Sequence, residues 1–225
     1  MNCISFRAKS PYARFRKAYT TTSTLTYLLM PPTAIRGLVG AILGIDRIDL
    51  CDATKELDVA IEVLNDINKD TQSFNLSIMN NEVGTSFSYP SNIEFLRDVE
   101  YRIFLKSDDL DFLSRIKNTI INKDYFYTPY LGSSEHICKL SFENDLVIEK
   151  VNLGTYNVSS AFDKTNSSDI ELNNIKIYSD NIPTKISKYR EYTEYKKVIF
   201  PVNSNTVKIK SDNLYRAGNK YIEFL

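Results

Sequence analysis

An α+β fold is predicted for this chain: a ferredoxin-like (RRM-like) βαββαβ domain with a β-hairpin insertion and a β-rich C-terminal extension. Three observations predict it. Residues 98–106 alternate, with Val99, Tyr101, Ile103 and Leu105 set against Glu100, Arg102, Phe104 and Lys106. Residues 110–120 instead repeat at helical spacing, placing Leu110, Leu113, Ile116 and Ile120 on one face. Segments of these two kinds follow one another as strand, helix, strand, strand, helix, strand, the arrangement that RNA-recognition modules share.

The elements follow in order. Ile4 and Phe6 alternate with Cys3, Ser5 and Arg7, which makes residues 2–8 a half-buried strand. Residues 9–24 are basic and polar with interleaved aromatics and no helical period, and read as a long loop. Pro31 and Pro32 open a helix that runs to about Gly44, because proline is tolerated in a first turn where its missing N–H would be unbonded anyway. Gly37 and Gly40 inside that helix cost about 1 kcal/mol each relative to alanine. Either close packing against a sheet or the close approach of a ligand compensates for it. Arg36 lies near the first turn, where free N–H groups favour an anion.

Leu57 to Ile67 is a second strand, with Val59, Ile61 and Val63 in step. Residues 68–95 are too long for an ordinary connection and read as a hairpin turning near 80–84. Ser107, Asp108 and Asp109 cap the second helix. Tyr125 to Leu131 resumes extended structure and ends in Gly132. Farther on, Lys139–Leu153 reads as a hairpin around Glu143-Asn144-Asp145, and Thr155–Asn174 as a Ser/Asn-rich loop. Ile175–Tyr178, Lys196–Pro201, Val207–Lys210 and Tyr221–Leu225 are short strands. These readings divide the chain into a domain over 1–140, carrying its insertion at about 68–95, and an extension over 141–225.

The 225 residues are 43% hydrophobic and 25% charged, the balance of an ordinary globular protein. No run is long enough to span a bilayer and the N-terminus lacks a signal-peptide pattern, so a cytoplasmic protein without membrane contact is expected. Cys3, Cys51 and Cys138 are too scattered for a zinc site or a disulfide framework, and neither a metal nor a cofactor is expected. The net charge is zero, yet its distribution is polar. Residues 1–45 hold Arg7, Lys9, Arg14, Arg16, Lys17 and Arg36 and no acid, where an even spread of the 28 acids would put about five or six. Residues 46–70 reverse this with eight acids. Such asymmetry points to an anionic partner at one face. Arg14, Arg16 and Lys17 can neutralise phosphates. Phe15, Tyr19 and Tyr27 can stack on bases, each stack contributing on the order of 1–3 kcal/mol. Thr20 opens a hydroxyl run that can donate to phosphate or ribose, and Arg97, beside the return of the insertion, is a further candidate.

Three blocks resemble one family. The first is Phe6 to Gly44, with Ala13-Arg14-Phe15-Arg16-Lys17, Thr24-Leu25-Thr26-Tyr27 and then Pro31-Pro32-Thr33-Ala34-Ile35-Arg36-Gly37 opening the glycine-punctuated helix. The second is Phe95 to Ile103 and the third is Tyr127 to Glu135. Together they are similar to the CRISPR-associated Cas5 family of the RAMP superfamily, and the tail from Val198-Ile199-Phe200-Pro201 to Leu225 resembles the type I-B branch. The resemblance implies that residues 68–95 are a protruding β-thumb. It also implies that the chain caps the 5′ handle of a guide RNA (crRNA) in Cascade, touching the backbone subunit, the large subunit and, only through the complex, target DNA. Some type I-C relatives instead cut the guide precursor without metal, using a Tyr, a Lys and a His. Here the only histidine is His136, with no adjacent lysine. The expectation is a non-catalytic subunit, with endoribonuclease as the alternative.

Overall fold

The structure, a computed structural model, describes residues 1–20, 24–80, 85–171 and 174–225, with the backbone alone at 78–80 and 85–87. Strand β1 spans Asn2–Ala13, and α1 (Pro32–Leu43) and the single-turn α2 (Leu50–Ala53) follow. Next come β2 (Asp58–Val63), β3 (Asn68–Asn80), β4 (Thr85–Lys106), α3 (Leu110–Asn122) and β5 (Lys139–Lys150). The last third holds β6 (Gly154–Val158), β7 (Phe162–Asp163), β8 (Ser168–Glu171), β9 (Ile177–Ile186), β10 (Tyr192–Pro201), β11 (Val207–Ser211), β12 (Tyr215–Ala217) and β13 (Lys220–Ile222).

The fold is mixed, with one large sheet and few helices. Its sheet runs β2-β4-β1-β5 and continues through β12-β13-β6-β11-β8, while β7-β10-β9 form a second sheet. The first four strands pair antiparallel throughout. Ile4, Phe6 and Ala8 of β1 and Tyr101, Ile103 and Leu105 of β4 face α1 and α3. Ile35, Leu38, Val39 and Ile42 of α1 and Phe112, Leu113, Ile116 and Ile120 of α3 meet them, as the two periods dictate. The Asp109 side chain caps α3 by accepting from the Phe112 N–H at 2.9 Å. The same buried cluster takes in Ala161, Ile182, Val198, Phe200, Val202 and Leu225.

Several elements differ from the sequence reading. β1 runs on through Ala13, because Lys9, Ser10 and Tyr12 keep pairing with Glu100, Val99 and Arg97 of β4. Tyr125–Leu131 is not a strand. The N–H groups of Phe126 and Tyr127 donate to the Ile42 and Ala41 carbonyls at 3.0 and 3.1 Å, so the segment caps α1 instead of joining the sheet. Its place beside β1 is taken by β5, one continuous strand that passes Glu143 with a register shift rather than turning there. The described part of 155–174 is largely paired, with β6 and β8 flanking β11 and β7 on β10. Long-range pairing here overrides a turn-rich composition. Gly40 is crowded not by the sheet but by Leu50 of α2, whose Cδ1 lies 2.4 Å from where a Cβ would stand. The 68–95 hairpin is observed as β3 on β4, in register from Asn68↔Arg97 to Asn80↔Thr85. Of the expected turn at 80–84, residues 81–84 lie outside the described residues.

One buried carboxyl ties pH to stability. Glu223 is fully buried, and its Oε1 accepts from Asn166 and Asn213 at 3.0 and 3.3 Å. Burial pushes its pKa up to about 7, against the helping hydrogen bonds. A raised carboxyl binds its proton more tightly in the folded state than in the unfolded one. Stability is therefore highest below the unfolded value near 4.5, falls as pH rises toward 7 and levels off above it. The full effect is about 3 kcal/mol. In urea titrations between those limits, Glu223→Gln is expected to flatten the decline. An unchanged slope would place the titrating group elsewhere.

Candidate nucleic-acid interface

The basic segment after β1 folds back as a ribbon. Residues 14–17 run antiparallel to 25–27, with Tyr27 N–H donating to Phe15 O at 2.8 Å and Lys17 N–H to Leu25 O at 2.9 Å. Two carboxylates from distant elements hold it. Glu94 of β4 accepts the Thr26 N–H at 3.0 Å and pairs with Lys69 at 2.7 Å. Asp180 of β9 pairs with Lys17 at 2.8 Å and accepts the Leu28 N–H at 3.1 Å. The ribbon is thereby clamped between the base of the β3–β4 hairpin and the β9–β10 hairpin.

This backbone sorts the candidates. Phe15 is 4% exposed, 6.3 Å from the Tyr101 ring, and Tyr27 is 1% exposed. Both point into the core and neither offers a face for a base. Lys17 lies 5.1 Å over the Tyr27 ring and already has its carboxylate, so its charge is used internally. Arg36 serves as a clamp rather than an anion site: its guanidinium donates to the carbonyls of Thr184 and Leu57 at 2.7 and 3.1 Å, and burial lowers its pKa. The outer surface is left to exposed Arg16 and Tyr19, with Arg14 and Thr20 half-buried beside them. Arg16 is exposed and reaches the Thr20 carbonyl at 3.4 Å, Thr20 donates its hydroxyl to Lys17 O at 2.8 Å, and Tyr19 is 65% exposed. Arg97 is half exposed, opposite Tyr12 in register and 3.9 Å from Asp98. The hydroxyl run expected to continue through 21–23 lies outside the described residues.

The fold also gathers residues whose spacing in the sequence carries no signal. Phe95 stands 5.5 Å from the His136 ring, 6.3 Å from Tyr12 and 6.0 Å from Phe74, with the Arg14 guanidinium 5.9 Å above it. Among the described residues, Arg14 Nε and His136 Nε2 are buried with no hydrogen-bond partner. Burial lowers the pKa of both. Gly132 seals this corner. Its φ is +89°, and a Cβ there would stand 1.8 Å from the Arg14 carbonyl oxygen.

The sheet face opposite α1 and α3 offers no comparable platform. Glu62, fully buried, pairs with Arg102 and Lys220 at 2.7 and 2.6 Å. Arg102 also pairs with Glu143 at 2.5 Å, Glu143 with Arg7, and Glu100 with Arg7 and Lys9 at 3.3 and 2.9 Å. A lattice of satisfied ion pairs occupies the surface where stacking aromatics would be needed. Burial pushes the Cys3 and Cys138 thiols up to about 12, which leaves both protonated near neutral pH. No group of three potential metal ligands occurs among the described residues, and no described helix is long and apolar enough to cross a membrane.

The family comparison spans all three sequence blocks and stops short of the tail from Val198. The family described as CRISPR-associated protein (Cas_Cas5) matches residues 3–143. No curated protein matches. Among solved structures, a CRISPR protein from Archaeoglobus fulgidus is similar with a TM-score of 0.58 at 14% identity, over 99% of this chain and 98% of that one. A chain of a CRISPR RNA-guided surveillance complex is similar with a TM-score of 0.56 at 12% identity, over 92% and 91%. A Cas protein is similar with a TM-score of 0.52 at 13% identity, over 93% and 95%. At these identities the structural likeness speaks to the fold alone, while the match over residues 3–143 speaks to descent. The chain belongs to the CRISPR-associated Cas5 family.

Proposed function

We propose that the chain is a non-catalytic subunit of a type I CRISPR surveillance complex, of the I-B kind, that caps the 5′ handle of the guide RNA. It contacts the backbone and large subunits and meets target DNA only through the assembly, in the cytoplasm. One observation carries the reading: Arg14 and Arg16 form no ion pair among the described residues, with Glu135 alone within electrostatic reach of Arg14, and they stand with exposed Tyr19 near the foot of a projecting hairpin. The strand order β2-β4-β1-β5, with helices after β1 and β4, supports a ferredoxin-like domain from which β3 and the first half of β4 project as the thumb.

Binding of labelled repeat RNA across a salt series tests it. Arg14→Ala with Arg16→Ala is expected to weaken binding roughly tenfold near 0.15 M salt and to lower the salt slope by about 1.4, because two phosphate contacts no longer release counterions. An unchanged slope would remove this ribbon from the RNA site.

The second reading, a metal-independent endoribonuclease, draws on the nearness of His136 to Tyr12 and Arg14. A histidine with a lowered pKa is neutral at pH 7 and can accept a proton. Site-specific cleavage of the repeat in EDTA, lost in His136→Ala, would establish that reading and end the non-catalytic one.

A further inference from the structure

A second basic and aromatic surface lies largely between the short strands expected at Ile175–Tyr178 and Lys196–Pro201. Residues 185–197 form the tip of the β9–β10 hairpin and hold Lys185, Lys188, Arg190, Lys196 and Lys197 against Glu191 and Glu194. Glu194 is taken by Lys185 at 2.6 Å and by Lys196 at 3.9 Å. Lys188, Arg190 and Lys197 form no ion pair among the described residues, and Glu191, next to Arg190 in sequence, forms none either. Tyrosines alternate with these cations. Tyr189 is 75% exposed with the Lys188 ammonium 5.2 Å from its ring centre, and Tyr195 is 39% exposed, edge-on to Tyr192 at 5.9 Å.

The placement is not incidental to the ribbon. Asp180, which holds Lys17, is the register partner of Val198, and the next pair along is Lys197 with Asn181. The Tyr27 hydroxyl lies within electrostatic reach of Tyr195 and Tyr192 of the hairpin and of Tyr19, which sets the hairpin beside the ribbon. Unpaired cations spaced among exposed aromatic faces are the chemistry that tracks a single strand: ammonium and guanidinium groups on phosphates, rings on unstacked bases, without sequence readout.

We propose that the β9–β10 hairpin tip is a second, sequence-tolerant contact for single-stranded RNA, which extends the ribbon surface through Lys197, Lys188, Arg190 and Tyr189. It rests on the reading of this chain as an RNA-binding subunit. The test uses the full chain with labelled oligouridine in a salt series, beside a labelled DNA duplex. All the altered side chains are exposed, and a melting curve checks that each variant folds. Lys188→Gln with Arg190→Gln and Lys197→Gln is expected to lower the salt slope by about 2. Tyr189→Ala is expected to weaken binding roughly 5- to 150-fold, and Tyr189→Phe to restore it, because stacking needs the ring and not the hydroxyl.

If the hairpin variants bind oligouridine as the parent does while the Arg14/Arg16 variant is weakened, the hairpin inference falls and the ribbon reading stands. If the hairpin variants are weakened and the Arg14/Arg16 variant is not, the reverse holds. An effect confined to the duplex, or no binding of oligouridine by the parent, overturns the inference.

Discussion

Gly132→Ala is expected to destabilise the protein by roughly 3 kcal/mol or more, a sum of backbone strain and overpacking. For a chain of this size that lowers the melting temperature by about 6–12 °C in a calorimetric scan. The backbone at Gly132 has φ +89°, and a methyl group would meet the Arg14 carbonyl oxygen at 1.8 Å and Phe15 Cδ1 at 3.3 Å. The carbonyl cannot simply retreat, because the Arg14 N–H donates to Leu131 O at 3.1 Å and Phe15 is sunk in the core. Gly218→Ala separates the two causes. Gly218 has φ +61° but nothing closer than Leu146 Cδ2 at 4.0 Å, so only the left-handed penalty of about 1–2 kcal/mol applies. Equal losses at the two sites would mean that the Arg14 carbonyl yields. The same substitution bears on function, since it displaces the residue that begins the exposed basic surface.

Arg102→Ala is expected to cost about 3–5 kcal/mol in urea unfolding, because it strips a fully buried carboxylate of its guanidinium. Glu62 would keep only Lys220 at 2.6 Å, and Glu143 only Arg7. The penalty comes from the charge left behind more than from the bond removed. Replacing Glu62 and Arg102 together by leucine is therefore expected to cost less than Arg102→Ala alone, with a favourable coupling between the sites. A double variant worse than the single one would show that the ion-pair lattice itself holds β2, β4 and β5 together.

The legible parts of the fold were those set by neighbours in sequence. Val99, Tyr101, Ile103 and Leu105 declared a strand, and Leu113, Ile116 and Ile120 a helix, because side-chain direction follows from the local backbone period. Pro32 and Gly44 marked the two ends of α1 for equally local reasons. Tyr125–Leu131 was misread because its composition suits a strand while its N–H groups were claimed by the end of α1, more than 80 residues back. The Ser/Asn-rich stretch after 155 was misread for the complementary reason: its partner strand, β11, lies about fifty residues ahead.

The candidate site divides along the same line. By itself the sequence determined that an acid-free, basic and aromatic N-terminal region exists and that its blocks carry the Cas5 family pattern, since both are matters of residue identity and order. Which of those side chains meet solvent was decided only by tertiary structure. Lys17 is neutralised by a carboxylate 163 residues away, Arg36 is consumed by the carbonyls of Thr184 and Leu57, and Phe15 and Tyr27 are turned inward by a ribbon whose anchors are Glu94 and Asp180. Charge and aromaticity belong to a residue, but exposure and pairing belong to the contacts that long-range folding brings to it.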